Sequence, residues 1–251
     1  MEVHHPHHLT HKKKWQEYFL EFFMLFVAVS LGFFAENVRE RQIEKHREIS
    51  FLNNVHEDLQ LDLKTIDTVM AVNHRRMVML DSLFVILEKK EPPLADLYYY
   101  FRNMALRATF ESSHIGFDQI KSAGGLRMIK NRKIIAGLQQ YENTLSSMYK
   151  LEETREHTLE QSRYLLAKVF NSKTNYIMTQ EQTDGTVRFQ RPKNPAPFFN
   201  NSPSTLNELI NLTAFSVNTS RYLNQRLTKL KGIAQELDAA ILTEYGDQFN
   251  H

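Results

Sequence analysis

Residues 18–35 read YFLEFFMLFVAVSLGFFA, an apolar run that is interrupted by a single charged residue, Glu21. A helix needs about 20 residues to cross the hydrocarbon core of a bilayer, and the run reaches that length when it starts at Trp15. Trp15 and Tyr18 suit the membrane–water interface, where amphipathic aromatic residues are enriched. The sequence therefore predicts a transmembrane helix over residues 15–36.

The same run could also form a core helix of a soluble protein or a helix that lies in the membrane interface. A cleaved signal peptide is a poorer fit, because cleavage after Ala35 needs a small residue where Phe33 stands. Glu21 lies about one turn inside the boundary, from which its carboxylate can reach the headgroups at moderate cost. We therefore expect an uncleaved signal anchor.

Small residues mark one face of the predicted span. Ala28 and Gly32 stand four positions apart, and Ala35 follows on the same face. Small residues at this spacing let two membrane helices approach closely and gain van der Waals contact. Ala28, Gly32 and Ala35 are therefore the candidates for packing between spans, and they favour a homo-oligomer.

The segments on both sides of the span are basic. Residues 1–14 end in three lysines, and residues 37–50 are charged and carry few apolar side chains. Counting basic residues on the two sides nearly ties, so the positive-inside rule alone does not fix the orientation. Because a span this near the N terminus commonly acts as a signal anchor, we expect residues 1–14 in the cytoplasm. Residues 37–50 are interpreted as a solvated helical stalk.

The basic tail is also rich in histidine, at His4, His5, His7, His8 and His11. Imidazole nitrogens can bind Zn²⁺, Ni²⁺ or Cu²⁺. A flexible tail supplies no neighbouring groups to orient the rings, so any such site would be weak. We interpret residues 1–14 as an unstructured tail and predict no metal site there.

The rest of the chain is predicted to be mainly helical. Gly (8) and Pro (7) are scarce for 251 residues, and apolar residues make up 42%, a composition that favours long helices. Neither Gly nor Pro occurs between Phe33 and Glu91, so one helix can continue out of the membrane until Pro92 and Pro93 end it. Further helices are expected at about 94–110, 115–123, 131–170 and 203–245.

One part of the sequence departs from the helical pattern. In residues 172–202, Asp184-Gly185 between two short β-prone runs predicts a hairpin, and three prolines then form a stiff linker. We therefore expect an all-α fold with a small β-hairpin insert. The transmembrane helix continues into an antiparallel bundle of about four main helices that occupies residues 51–251.

Two clusters in the predicted bundle have both a functional and a structural interpretation. The aromatic run YYYF at residues 98–101 is more typical of a core than of a ligand site. Glu57, Asp58 and Asp62 form a carboxylate row beside apolar residues, which usually marks the solvated face of a helix. Neither cluster is therefore predicted to be a site.

The sequence contains no recognisable catalytic or cofactor motif. Glu111 and His114 have the Glu-x-x-His spacing of di-iron bundles, but those proteins need two copies. SAGGL at residues 122–126 lacks the Lys-Ser/Thr of a phosphate loop, and cysteine is absent. With 31 basic and 29 acidic residues the net charge is +2, which gives no broad field to attract nucleic acid. We expect no catalytic residue, cofactor, metal or nucleic-acid partner.

Three segments stand out in the first part of the chain: GFFAENVRE at residues 32–40, FLNNVHEDLQLDL at 51–63 and FDQIKSAGGLRMIKN at 117–131. In these segments the chain resembles an uncharacterised family of small bacterial single-span membrane proteins with a helical soluble domain. The likeness extends to about residue 170. It implies a single-pass protein of the bacterial inner membrane, and with the expected orientation the C-terminal domain is periplasmic. It implies no activity and no site residues.

These patterns favour a membrane-anchored helical scaffold or interaction protein of the bacterial envelope, which forms a homo-oligomer or joins a larger membrane complex. An enzyme is not expected, because no set of acid, base, nucleophile or metal ligands converges. The alternative is a ligand-sensing helical bundle. It would act through a separate membrane partner, because residues 1–14 leave no room for an output domain.

Overall fold

The protein is described here by a computed structural model that covers residues 14–122, 124–181 and 187–249. The chain divides into two units, Met1–Ser50 and Phe51–His251. Helix makes up 81% of the structure, which confirms the predicted all-α class.

The described residues form six α-helices. They are α1 (Trp15–Leu87), α2 (Leu94–Met104), α3 (Ile115–Ser122), α4 (Arg132–Val169), α5 (Ser172–Ile177) and α6 (Pro203–Tyr245). Short 3₁₀ turns follow α3 at Gly125–Arg127 and α6 at Gly246–Gln248. The predicted bounds of the first, third, fourth and last helices agree with these to within a few residues.

Local side-chain chemistry explains where the later helices begin and end. Asn131 caps α4 by accepting a bond of 2.8 Å from the backbone N–H of Lys133. Ser202 caps α6 through a bond of 3.4 Å from the backbone N–H of Thr205. These caps satisfy donors that have no partner within the helix. After α3, Gly124 adopts a left-handed φ of 64°, a conformation that glycine accommodates without strain.

Helices α1 and α6 run antiparallel in the second unit. His56, Asp67 and Asp81 of α1 contact Asp238, Lys231 and Arg221 of α6, in reverse order along the chain. Helix α4 has the same direction as α1, because residues further along α1 contact residues further along α4. It is antiparallel to α6, against which it packs closely at Gly137, where an added Cβ would lie 2.9 Å from Leu237 Cδ1.

The part of the bundle that α2 and α3 form differs from the prediction. A helix was expected over residues 94–110, but α2 ends at Met104 and residues 105–114 have no regular structure. We call residues 105–114 the connecting segment. It joins α2 to α3, so that these two helices together run back along α1. The bundle therefore has four columns, which are α1, α2 with α3, α4 and α6, and their directions alternate. The second column is thus two short helices and a non-helical connection, which side chains from α1 and α4 stabilise, as described below.

Apolar side chains from all four columns fill the interior of the second unit. Among the largest fully buried side chains are Leu52, Leu59, Ile66, Leu80, Leu83, Tyr98, Phe101, Met104, Phe110, Ile134 and Tyr141. On α1 these side chains recur at multiples of seven or at three residues, which places them on one face of the helix. Burial of each such side chain contributes about 1.5–3 kcal/mol, so this face stabilises the contact between the long helices.

The insert contains two short strands and a connection that packs on the bundle. Strand β1 (Thr179–Glu181) pairs antiparallel with β2 (Val187–Phe189). The predicted turn at Asp184-Gly185 lies outside the described residues, so the hairpin stays a prediction. Beyond the strands, the ring of Phe198 stacks on Phe170 with centroids 5.7 Å apart and lies tilted against Tyr98 with centroids 4.7 Å apart. The proline-containing stretch is therefore attached to the core.

Candidate functional site: an exposed apolar segment and a buried polar layer

The apolar segment, residues 15–36 of α1, exposes every side chain except that of Val27, which is half-buried. It contains an 18-residue window with a mean hydropathy of 2.0, none of which is buried. The core helix of a soluble protein would bury most of such a window. By length and composition this helix could span a membrane.

Aromatic side chains stack along the apolar segment at helical spacing. Trp15 and Phe19 have ring centroids 6.0 Å apart, Phe19 and Phe23 6.5 Å, and Phe22 and Phe26 6.4 Å. Residues four apart lie on the same side of a helix, so each pair covers one strip of the surface. The strips leave the small residues of the segment unobstructed.

Ala28, Gly32 and Ala35 all lie on the exposed surface of α1. A Cβ added at Gly32 would meet no atom within 4 Å. The positions are therefore free for contact with another helix, as the packing hypothesis requires. Association itself stays a prediction.

The second unit contains a buried polar layer where the connecting segment passes between α1 and α4. We define the layer as Asp58, Asp62, Asn73 and Arg76 of α1 with Tyr141 and Arg155 of α4, all buried. Buried polar groups are costly unless hydrogen-bonded. The layer supplies partners for the backbone of a segment that has no helical bonds of its own.

The acidic half of the layer binds the end of the connecting segment. Asp62 accepts bonds of 2.7 Å from the backbone N–H of Ser113 and 2.5 Å from the hydroxyl of Ser112. Asp58 accepts a bond of 2.5 Å from the Ser113 hydroxyl and one of 2.7 Å from the backbone N–H of Gly116, near the start of α3. A carboxylate at a helix N terminus also complements the positive end of the helix dipole.

The interpretation of Asp58 and Asp62 as part of a solvated face is therefore wrong. They are 2% and 1% exposed, whereas Glu57 is exposed as expected. Helical periodicity groups polar residues on one side, but it cannot distinguish solvent from a polar neighbouring segment. In the sequence, only the adjacent hydroxyl residues Ser112 and Ser113 indicate that a polar segment could pack against Asp58 and Asp62.

The cationic half of the layer binds the C-terminal end of α2, just before the connecting segment begins. Arg76 donates to the Met104 carbonyl at 2.5 Å and to the hydroxyls of Ser216 and Ser220 on α6, at 2.6 and 2.9 Å. The last carbonyls of a helix have no internal partner, and a cation there favours the negative end of the dipole. Arg76 thus ends α2 at Met104.

Arg155 holds the middle of the connecting segment. It donates to the carbonyl of Ala108 at 3.3 Å and to both carboxylate oxygens of Glu152 at 3.3 Å, while Asn73 lies 3.5 Å away. Its Nε has no hydrogen-bond partner among the described residues. Arg155 therefore fixes α4 to the connecting segment and to α1.

Burial shifts the pKa values of the layer. Desolvation raises the pKa of Asp62, although bonds from Ser112, Tyr141 and Ser113 oppose it. Desolvation raises the pKa of Tyr141 far above its usual range, and the adjacent Asp62 adds to the effect. Desolvation, with the nearby charge of Arg155, lowers the pKa of Arg76 to about 9. Every shift reflects the cost of charge in a poorly solvated interior.

A cavity opens beside the cationic half of the layer. Its volume is about 560 Å³, and its wall is mostly apolar. Val72, Arg75, Arg76 and Met79 of α1 line it, together with Asn103, Leu106 and Arg107. Small-molecule sites commonly have volumes in this range, with few polar groups in an apolar wall.

The aromatic run on α2 lies in the core. Tyr98 and Phe101 are buried, and the ring centroids of Tyr98 and Phe170 are 4.4 Å apart. The Tyr98 hydroxyl accepts a bond of 2.9 Å from the backbone N–H of Asn171. The prediction that this run packs in the core is confirmed.

Within the described ranges, no three His, Cys, Asp or Glu side chains form a group that could hold a metal ion. Glu111 is exposed and His114 is half-buried, in the connecting segment. The histidines of residues 1–14 lie outside the described residues.

Comparison with known proteins returned nothing: no protein-family model matches the sequence, and no curated protein or solved structure is similar to it.

Proposed function

We propose that this chain is a membrane-anchored helical scaffold or interaction protein of the bacterial envelope, without catalytic activity. The apolar segment is a single span of the inner membrane, residues 1–14 are cytoplasmic, and residues 51–251 are periplasmic. The protein forms a homo-oligomer or is a subunit of a membrane complex. Neither a cofactor nor nucleic acid is part of this proposal.

One observation carries the proposal. Phe22, Phe23, Met24, Leu25 and Phe26 are consecutive, and each is between 52% and 67% exposed. Successive helical residues point about 100° apart, so these side chains surround the helix. A docking protein would cover one face of such a helix, whereas lipid covers all of them. The distribution of exposed apolar surface therefore favours a membrane.

The test is extraction of cell membranes with alkaline carbonate. We expect the full chain to stay in the pellet. A Leu25→Arg/Phe26→Arg variant should move to the soluble fraction, because each Arg near the centre of a span costs about 2.5–3.5 kcal/mol. Leu61→Arg, at another exposed apolar position of α1, is the matched control and should stay in the pellet. Wild-type protein in the soluble fraction would refute the anchor.

A second candidate function is a ligand-sensing bundle that acts through a separate membrane partner. The cavity beside Arg76 favours it, because a purely structural bundle gains nothing from an unfilled space beside a buried cation. Crosslinking in native membranes separates the two functions. A scaffold should capture the same partners whatever small molecules are present, whereas a sensor should change its captured partner when its ligand is added.

A further inference from the structure

Arg76 lies in an unusual electrostatic position. Its guanidinium is buried, and its hydrogen-bond acceptors are backbone carbonyls and serine hydroxyls, all neutral. Among the described residues, no acidic side chain forms an ion pair with Arg76 or with Arg75 beside it. Neutral acceptors of this kind do not offset the desolvation cost of a buried charge as a carboxylate would. The dipole of α2 favours a cation at this position, but no described carboxylate neutralises the charge of Arg76.

The surrounding charges do not compensate Arg76. Arg155 is close enough that its positive charge disfavours the charged form of Arg76. Glu152 is bonded to Arg155, and Glu156 is paired with both Arg107, at 2.5 Å, and Arg163, at 2.8 Å. The two carboxylates on this side of α4 are therefore already shared among three arginines. Arg75 and Arg76 remain as excess positive charge on the cavity wall.

Most of the remaining wall is apolar. Val72 and Met79 lie one turn before and one turn after Arg75 and Arg76 on α1, and Leu106 faces them from the connecting segment. A simple inorganic anion would satisfy the arginines but would leave this surface in contact with water. A neutral apolar molecule would cover the surface but would leave the cation uncompensated.

We propose that this cavity binds a small amphiphilic carboxylate, with its anionic group toward Arg75 and Arg76 and its hydrocarbon part against Val72, Met79 and Leu106. A charge-assisted hydrogen bond to a carboxylate is about twice as strong as a neutral one, which fixes the orientation. The proposal goes beyond the scaffold function and does not rest on the membrane anchor. It names the ligand class that the sensing function would need.

The probe is hexanoate, added to the full chain in lipid nanodiscs, because detergents are themselves amphiphiles that would compete for the cavity. The reporter is the ¹³C-labelled methyl group of Met79, assigned by its loss in Met79→Leu. Met148, buried on α4 outside the cavity lining, is the reference methyl group. We expect a saturable shift at Met79 and none at Met148.

Matched probes separate the parts of the proposal. Hexanamide has the same chain without the charge and should bind about tenfold more weakly or worse. Acetate and inorganic phosphate have the charge without the chain and should also bind more weakly than hexanoate. A response to hexanamide equal to that of hexanoate would overturn the anionic assignment. A response to acetate or phosphate equal to that of hexanoate would overturn the assignment of an amphiphilic ligand. If none of the probes shifts the Met79 methyl signal, the proposed site is wrong.

Variants locate the binding without removing the buried Arg76. Arg75→Gln should weaken hexanoate binding several-fold, whereas Arg226→Gln, at an exposed arginine of α6 outside the cavity lining, should not. Leu106→Glu supplies a carboxylate inside the cavity. It should abolish the hexanoate response and raise the unfolding temperature relative to Leu106→Gln. If the unfolding temperature of Leu106→Glu is equal to or lower than that of Leu106→Gln, the inference that the cavity wall carries uncompensated positive charge is wrong. Failure of binding would leave the alkaline extraction unchanged, so the two proposals fail separately.

Discussion

Gly116 lies so close to α1 that a Cβ on it would stand 2.4 Å from the backbone nitrogen of Val55. Real Cβ atoms do not approach backbone so closely, so no other residue fits without moving α3 away from α1. The contact also positions the Gly116 N–H for its bond to Asp58. A single absent side chain therefore determines how the second column joins the first.

This contact predicts that Gly116→Ala destabilises the bundle. Overpacking of this kind typically costs about 1–3 kcal/mol, and the bond to Asp58 is lost as well. Thermal unfolding followed by far-UV circular dichroism would measure it. Gly232→Ala on α6 is the control, because a Cβ there meets nothing within 4 Å and should raise stability by about 0.5–1 kcal/mol. Equal unfolding temperatures for the two variants would contradict the close approach.

Asp62 predicts a pH dependence of stability. Its folded-state pKa lies above the ordinary value of 3.8, so the folded state holds the proton more tightly than the unfolded state. The contribution of this group is therefore greatest below pH 3.8 and is lost as the pH rises through the folded-state pKa. Asp62→Asn should remove that part of the pH slope, measured by denaturant unfolding at a series of pH values. Glu57→Gln, at an exposed carboxylate of the same helix, should keep the slope of the wild type.

Arg155 and Glu152 predict a non-additive pair of substitutions. Arg155→Met leaves the buried Glu152 carboxylate without its partner and removes the donor to the Ala108 carbonyl, which should cost about 3–5 kcal/mol. Adding Glu152→Met removes the uncompensated charge and should recover part of that loss. Unfolding free energies of the wild type, both single variants and the double variant measure the coupling. Strict additivity would show that the two side chains act independently.

Ala28 and Gly32 predict association between spans. Ala28→Ile/Gly32→Ile should hold the helix axes apart and weaken association by about 1–2 kcal/mol. Crosslinking of membranes from wild-type and variant cells measures the oligomer fraction. Ser30→Ile places the same bulk on the opposite face and should leave the oligomer fraction unchanged. Equal fractions for all three proteins would exclude the small-residue face from the interface.

The proposed orientation predicts a pattern of proteolysis. Protease added to spheroplasts should remove residues 51–251 and leave a membrane-protected fragment that contains the tail, because translocating the lysine-rich N terminus is disfavoured. Antibodies to tags at the two ends of the chain would distinguish the fragments. Digestion of the bundle only after lysis would reverse the orientation.

Much of the fold follows from local signals that the sequence carries in the right places. Pro92 and Pro93, Asn131 and Ser202 each act within a few residues of themselves, so the ends of the long helices could be predicted. The end of α2 could not. Residues 105–111 read ALRATFE, which is compatible with helix locally. The helix ends because side chains from α1 and α4 bind the backbone instead, and sequence spacing does not show that they meet.

The candidate sites divide in the same way. The apolar segment is continuous in sequence, so its length and hydropathy were sufficient to identify it. The polar layer comes from residues that lie tens of positions apart, and each of them looks ordinary in isolation. Asp58 and Asp62 look like surface carboxylates, and Arg76 like one more basic residue on a long helix. Only the packing of four columns shows that they share one interior.

The connecting segment has a consequence for the order in which the protein folds. Asp58 and Asp62 on α1 and Arg155 on α4 bind the segment itself, and Arg76 binds the Met104 carbonyl just before it, so none of these hydrogen bonds can form locally. Contacts between distant parts of a chain form after local helices, because closing the loop costs entropy first. This segment therefore docks only after α1 and α4 have formed as helices, and α2, the segment and α3 attach to them as one cooperative unit. In the folded protein the same unit should open first, and its amide hydrogens should exchange together.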